Sequence, residues 1–310
     1  MAQIYGPVPS RRLGFSLGVD IVPFKSCTLD CIYCQLGRTT NKTMKRKEYV
    51  STDQLLRELD KVLKEERKID YITFSGSGEP TLNSQIGRMI RQVKKMSSIP
   101  VAVLTNGTLL HQPQTREDLF EADLVIPSLD AVSQGIFQRV NRPHPSLKIE
   151  EVIFGISTFS REFEGKLYLE IMLVKGINDS MEELRKMAQT VEEIDPDKVQ
   201  LNTVIRPPAE KFAQALDVEE LKKVRNILGE KRCEIIAEFK GFRQKAYKKD
   251  VEDEILKTLR RRPLTIDDIS YFLGLHRNEI TKYLGALEEE GKIFSVLRDD
   301  QRYYQVKFEV

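Results

Sequence analysis

Apolar positions along residues 18–240 switch repeatedly between two spacings. Short runs rich in β-branched and aromatic residues alternate with stretches in which apolar side chains return every three or four positions. The runs predict strands at Gly18–Phe24, Tyr71–Ser75, Val101–Thr105, Asp123–Ser128, Lys166–Val174, Lys198–Ile205 and Cys233–Phe239. Between them the periodic stretches predict helices. Ser51-Thr-Asp-Gln54 is a capping signal for one running to about Arg67, with Leu55, Leu56, Leu59, Val62 and Leu63 on one face. Others cover Leu82–Met96, Arg116–Glu121, Ile149–Phe159, Met181–Ile194 and Val218–Leu228. About six β/α repeats predict an α/β fold with a parallel sheet, either open and doubly wound or curled into an incomplete barrel.

The alternation stops near Lys248–Val251, after the basic stretch Lys240–Lys249, and divides the chain into residues 1–247 and 248–310. The second part predicts helices at Val251–Arg260, Thr265–Leu273 and Asn278–Glu290. Strands at Lys292–Leu297 and Arg302–Phe308 then flank a turn at Asp299–Asp300. Thr265-Ile-Asp-Asp268 is a helix-start signal, and Leu-Gly-Leu at 273–275 separates the second helix from the third.

With 310 residues and 40% hydrophobic content, the chain can bury one large core and one small one. No segment reaches the ~18 uninterrupted apolar residues of a membrane span, and Met-Ala-Gln-Ile-Tyr-Gly carries no signal-peptide core. These features predict a cytoplasmic protein with no membrane partner. The net charge of +2 lacks the basic excess of a nucleic-acid coat. The charge is unevenly spread. Residues 1–48 hold eight Lys and Arg against three acids, which suits either a solvated surface or an anionic substrate or redox partner. From Asp250 onward ten basic residues meet thirteen acidic ones, a poor balance for nonspecific nucleic-acid binding.

Candidate chemistry begins with cysteine. Three of the four cysteines lie in Cys27-Thr-Leu-Asp-Cys31-Ile-Tyr-Cys34, directly after a predicted strand. A zinc site would want a fourth Cys or His nearby, and a cluster fully held by protein would want a fourth Cys. Cys233 is distant in sequence and sits in an apolar run, where a buried core thiol is expected. The spacing therefore suggests a cluster with one iron left for an exogenous ligand, with a zinc knuckle or a redox dithiol as the alternatives. Tyr71-Ile-Thr-Phe-Ser-Gly-Ser-Gly-Glu-Pro-Thr81 is an apolar strand running into a Gly-rich turn, where backbone can approach a ligand closely and Glu79 adds an acceptor.

The CxxxCxxC spacing, with Tyr33 just before the last cysteine, resembles the signature of the radical S-adenosylmethionine (SAM) superfamily. The resemblance covers roughly residues 15–240 and implies a partial (βα)6 TIM-like barrel. It implies that Cys27, Cys31 and Cys34 hold three irons of a [4Fe–4S] cluster whose fourth iron chelates SAM. An electron from a flavodoxin- or ferredoxin-type donor then cleaves SAM to methionine and a 5′-deoxyadenosyl radical, which abstracts hydrogen from a substrate. Gly76, Ser77, Gly78, Glu79 and Pro80 match the family's Gly-Gly-Glu-Pro motif except at its first positions, and the match implies contact with the SAM amino group. Tyr33, Asn106, Ser128, Asp130 and Asn202 fall where the family makes other SAM contacts. With no further cysteine group, an auxiliary cluster of the usual kind is not expected.

The chain names no catalytic residue. Arg11 and Arg12, in the Gly-rich opening segment, form a possible phosphate or carboxylate clamp, and Arg142 is a third candidate for substrate contact. The residues from 248 onward resemble a winged helix-turn-helix, in which Arg277, Asn278 and Lys282 would lie early on the helix that meets a nucleic-acid groove. Winged helices also dock proteins. The opening Gly-Pro-Val-Pro-Ser-Arg-Arg and the barrel motifs are similar to those of iron–sulfur oxidoreductases related to wyosine-type tRNA modification synthases, although the extra N-terminal cysteines of those synthases are absent. That similarity implies RNA-base modification, of tRNA or another RNA. The alternatives are an enzyme that modifies a protein or activates a glycyl radical, docking its partner through the winged helix, and an iron–sulfur redox sensor that regulates transcription.

Overall fold

A computed structural model describes residues 3–10, 12–65, 68–206, 208–236, 249–260, 262–298 and 301–307. Eight strands form one sheet. They are β1 (Ile4–Ser10), β2 (Gly14–Val19), β5 (Tyr71–Phe74), β6 (Val101–Thr105), β7 (Leu124–Pro127), β8 (Lys166–Leu173), β9 (Lys198–Thr203) and β10 (Cys233–Ile235), side by side in that order. Two short strands, β3 (Ser26–Cys27) and β4 (Asn41–Lys42), pair with each other outside it. From β2 to β10 every pairing is parallel, and only β1 runs antiparallel, as a hairpin on β2. The order does not close into a ring, so β1 and β10 are its two edges.

Helices cross between the strands: α1 (Thr52–Leu63), α2 (Ile86–Met96), α3 (Pro113–Glu117), α4 (Gln134–Val140), α5 (Ile149–Glu162), α6 (Met181–Ile194) and α7 (Val218–Leu228). Their starts follow the side chains. Ser51 and Ser180 accept N–H bonds in the first turns of α1 and α6, and Asp217 with Glu220 forms a capping box on α7. The helices bury apolar faces against one face of the sheet, in a continuous core that includes Phe74, Met89, Phe159, Leu169 and Leu201.

The opposite face is polar. Along β8, Leu167, Leu169, Ile171 and Leu173 are buried on the helix side, while Tyr168, Glu170 and Met172 alternate with them. Glu170 accepts from Asn202 Nδ2 on β9 at 3.0 Å and from Arg12 Nη1 at 2.5 Å, and Ser16 on β2 bonds Thr73 on β5 at 2.7 Å. Polar groups paired across an inner face are what a barrel interior that receives a ligand requires.

Several elements differ from the expectation, among them the unexpected pair β3 and β4 and the helix expected at Arg116–Glu121, which lies at Pro113–Glu117. Chain reversal at Leu13–Gly14 makes β1 and β2 a hairpin, so the second strand ends at Val19 and the residues after it leave the sheet. β1 carries prolines and looks unlike a strand in sequence, but an edge strand tolerates missing N–H groups. Helix α4 was not expected at all. Parts of the predicted strand at Cys233–Phe239, the end of the first helix at Arg67 and the Asp299–Asp300 turn lie outside the described residues.

The C-terminal residues form α8 (Lys249–Leu259), α9 (Ile266–Leu273), α10 (Arg277–Glu289) and the antiparallel pair β11 (Ile293–Arg298) and β12 (Gln301–Val306). They have their own core, built on Ile255, Leu259, Ile269, Ile280, Leu284, Leu287, Ile293 and Tyr304. Thr265 and Asp268 make a capping box on α9, and Gly274 ends it at a φ of 63°. No helix among the described residues is long and apolar enough to cross a membrane.

Phe74 is fully buried in the core of the sheet, whereas Phe154 on α5 is 60% exposed. Phe74→Ala is expected to cost about 3–5 kcal/mol and Phe154→Ala less than about 0.5 kcal/mol. Denaturant unfolding of the two variants beside the wild type measures both, and equal midpoint shifts would contradict this packing.

Candidate active site

The residues that leave the sheet after β2 fold into a closed loop at the C-terminal ends of the strands, where parallel α/β folds place ligands. Pairing of β3 with β4 shuts the loop, and Thr43 N–H donates to the Cys27 carbonyl at 3.0 Å. Leu29 and Ile32 anchor it in the core. Backbone bonds from Asp30 N to Asn141 O (2.9 Å) and from Ile32 N to Val140 O (3.0 Å) tie it to the end of α4. The three cysteines are therefore held by fixed backbone and remain half-buried.

Each of the three sulfurs accepts from a nitrogen donor. Asn106 Nδ2 lies 3.4 Å from Cys27 Sγ, Asn141 Nδ2 lies 3.3 Å from Cys31 Sγ, and Lys25 Nζ lies 3.1 Å from Cys34 Sγ. Burial pushes the Cys27 thiol up to about 11, with Glu79 adding to it, and burial also raises Cys31. Burial works against the charge of Lys25, but Cys34 and the other two thiols outweigh it and raise its pKa. Thiols bind iron as thiolates, and an ammonium with two amides aimed at the sulfurs favours that form. Among the described residues no three His, Cys, Asp or Glu side chains converge on a single-ion site. Sulfurs that each hold a different iron of a cluster need no such convergence. The donor set therefore fits a three-cysteine cluster.

The Gly-rich turn after β5 is welded to the cysteine loop. Glu79 N–H donates to Ser26 O at 3.0 Å and Lys25 N–H donates to Ser77 O at 2.7 Å. A Cβ on Gly78 would lie 1.9 Å from Ser26 O, and one on Gly76 would lie 2.3 Å from the Asp20 carboxylate, so both approaches require glycine. Ser77 donates through its N–H (3.0 Å) and its hydroxyl to Asp20 Oδ2. Glu79 is buried. Its carboxylate accepts from Thr81 N–H (3.0 Å), Thr81 Oγ1 (2.6 Å), Thr105 Oγ1 (2.6 Å) and Asn106 N–H (2.7 Å). Burial raises its pKa and these four donors oppose the rise. The Glu79 side chain thus braces the site, and Pro80 opens a 3-10 turn at Pro80–Leu82.

Two chains of hydrogen bonds run from strand ends to the sulfurs. One is Glu79–Asn106–Cys27. The other is made by Asp130, which accepts from the Tyr33 hydroxyl, from Asn141 Nδ2 (2.6 Å) and from Met172 N–H (2.9 Å), while Asn141 reaches Cys31. Burial lifts Asp130 to about 6 against those donors. Asn106, Ser128 and Asp130 line one small pocket with Asn141. Asn202 lies apart from it, fully engaged with Glu170 and Thr203 N–H. Arg142 pairs with Glu210 at 2.6 Å at the loop's rim, and Arg12 with Glu170 inside the barrel. Arg11 lies outside the described residues.

Three further residues at the site were not assigned to it from sequence. Lys25 was one basic residue among eight, although a lysine two positions before a metal-binding cysteine is a readable signal. Asn141, at the end of α4, reaches both Asp130 and Cys31. Glu183, buried at the start of α6, accepts from Val132 and Ser133 and holds the turn after Asp130. Arg277, Asn278 and Lys282, expected early on a groove-reading helix, lie on the side of α10 that faces the barrel. Asn278 is buried, Arg277 lies over the Phe24 ring at 3.9 Å, and Lys282 lines a cavity of the barrel.

Residues 21–188, more than half of the chain, match the radical SAM superfamily. The chain belongs to the radical SAM superfamily. A UPF0026 protein of Methanocaldococcus jannaschii is 33% identical over 98% of this chain and 96% of its own length. A protein named GTPase Obg from Brachyspira hyodysenteriae is 40% identical over 94% of this chain, which spans only 43% of that protein. A radical SAM methyltransferase from Sphaerobacter thermophilus shares the fold with a TM-score of 0.58 at 18% identity, over 74% of this chain and 68% of the other. The protein is an enzyme of this superfamily, whose cofactors are a [4Fe–4S] cluster and SAM, and its mostly parallel sheet is that of the radical SAM partial barrel.

Gly78→Ala is expected to force Ser26 and Glu79 apart, destabilise the protein by about 1–3 kcal/mol and lower the iron retained after anaerobic reconstitution. A Cβ on Gly135, in α4, meets nothing within 4 Å, so Gly135→Ala serves as the control with unchanged iron content. Full iron loading of the Gly78 variant would refute the weld.

Proposed function

We propose that Cys27, Cys31 and Cys34 hold the cluster, that the turn Gly76–Pro80 with Asn106, Ser128 and Asp130 holds SAM, and that the substrate enters the polar interior of the barrel. The observation that carries this reading is that each of the three sulfurs has a nitrogen donor 3.1–3.4 Å away, in a loop bonded to a glycine turn too close-packed to admit a Cβ. With both cofactors bound, the chemistry supplied is reductive cleavage of SAM to a 5′-deoxyadenosyl radical that abstracts hydrogen. The protein's own part is positional. Asn106, Asn141 and Lys25 stabilise the thiolates, and Glu79 and Asp130 hold the two asparagines in place.

The division at 247/248 and a winged-helix character for the C-terminal unit are part of the same proposal, supported by its separate core and its three helices followed by a hairpin. An RNA base as substrate rests on the resemblance at the N-terminus. Recognition through Arg277, Asn278 and Lys282 has no support in their packing against the barrel, so we assign those residues to the barrel and not to RNA. A one-electron donor completes the system.

Anaerobically reconstituted, reduced protein is expected to form 5′-deoxyadenosine from SAM. Cys27→Ser, Cys31→Ser and Cys34→Ser should each reduce this to background, as read by chromatography of the quenched reaction. Absence of 5′-deoxyadenosine from iron-replete wild type, or undiminished formation in the serine variants, would remove the reading, and the first result would favour a cluster that only senses.

A further inference from the structure

The C-terminal unit packs against β1, one edge of the sheet. His276, which caps α10, stacks on Tyr5 of β1 with ring centroids 4.4 Å apart and bonds through Nε2 to Asp20 Oδ2 at 3.0 Å. Just past the end of β9, Arg302 donates to Pro208 O at 2.6 Å, and Gly285 of α10 lies beside Arg206. Tyr5 itself lies over Gly18, where a Cβ would meet its ring at 2.0 Å. The C-terminal unit therefore reaches from Tyr5 on β1, where its contact is buried, to the residues just past the end of β9.

Beneath that helix is a cavity of about 170 Å³, walled by residues from both parts of the chain. Ser75 and Gly76 place one end of it against the SAM turn, and Gln35 follows Cys34 directly. Its charged lining residues are Arg12, Arg206 and Lys282, and no carboxylate is among the described residues that line it. Glu170 pairs with Arg12 from outside the lining, and Arg206 Nη1 donates to Gln35 Oε1 at 2.7 Å. Three basic side chains with no carboxylate among the described lining residues suit an anionic group. Asn278 adds a second observation: it is 7% exposed, lines the cavity, and its Oδ1 has no hydrogen-bond partner. A buried acceptor of this kind calls for a donor on whatever fills the space.

From these positions we infer that the C-terminal unit is a wall of the substrate chamber, and that the chamber binds the phosphate or carboxylate group of a substrate that also carries an O–H or N–H donor. Arg206 and Lys282, one from each part of the chain, grip the anion, and Asn278 receives the donor. This inference rests on the proposed cofactor site, because it takes the molecule held there to be the one the radical attacks.

The test uses the full chain with its cluster reconstituted and SAM present, so that SAM already fills its own site. Inorganic phosphate and, in a separate arm, malonate are titrated calorimetrically into wild type, Lys282→Gln, Arg206→Gln and Arg206→Lys. The expected result is saturable binding of one of these anions, weakened roughly tenfold or more in each Gln variant and at least partly restored in Arg206→Lys. That restoration separates lost charge from a disturbed fold, and the anion that binds identifies the phosphate or the carboxylate class. No saturable binding of either anion, or equal binding by wild type and both Gln variants, would overturn the inference. Formation of 5′-deoxyadenosine is measured on the same wild-type sample: cleavage without anion binding removes this inference alone, and anion binding without cleavage removes only the reading of the cofactor site.

Discussion

The close approach of Gly78 to Ser26 is the contact on which the rest of the site depends. Two backbone segments, one carrying the cysteines and one ending β5, meet with an N–H to C=O bond of 3.0 Å and no room for a side chain. Two of the three nitrogen donors to sulfur are then located relative to that junction. Glu79 follows it directly and orients Asn106, which reaches Cys27. Lys25 precedes it and reaches Cys34. A small displacement here would move two of the three donors at once, whereas changes on the outer faces of the helices leave the geometry untouched. The cost of the arrangement is a buried carboxylate at Glu79, offset by four donors.

How much of this was legible in sequence differs between levels. The parallel α/β architecture followed from period and length, and Met181–Ile194 and Val218–Leu228 begin and end where expected because capping residues mark them. The cysteine spacing and the Gly-Ser-Gly-Glu-Pro turn are local signals, and the structure brings them together. What local pattern could not carry was the use of side chains across long separations. Asn141 reaches Cys31 from 110 positions away and Asp130 reaches Tyr33 from 97. Glu79 looks like a ligand residue in sequence because an anionic side chain after glycines is suggestive, and two of the four donors on its oxygens, Thr105 and Asn106, appear only when β5 and β6 lie side by side.

The C-terminal unit shows the same limit from another side. Its periodicity, its caps and its hairpin were readable, since each depends on residues a few positions apart. Which surface of α10 would be covered was not, because that depends on matching Tyr5, Asp20, Phe24 and Arg206, all in the other part of the chain. Arg277, Asn278 and Lys282 have the polarity of a groove-reading helix, and the same polarity suits a helix that walls a charged cavity. Net charge helps to separate the two uses: thirteen acids against ten bases from Asp250 onward disfavour phosphate-backbone binding over the whole unit, while a cavity needs only the few cations that face it.

The basic excess of residues 1–48 acquires a similar resolution. Arg46 pairs with Asp118 at 2.5 Å, and Arg38 shares Glu210 with Arg142, so these arginines hold the cysteine loop to neighbouring elements. Lys42 donates to the Arg142 carbonyl. Lys25 is turned to the sulfurs, and Arg12 lies between Glu170 and the cavity. A segment that looks like a single electropositive patch in sequence is thus divided by the fold among three tasks: bracing a loop, balancing thiolates and lining a chamber. Because buried charges are tolerated only when paired, the carboxylates Glu170, Glu210 and Asp118, supplied by distant strands and loops, decide which of these tasks each cation performs.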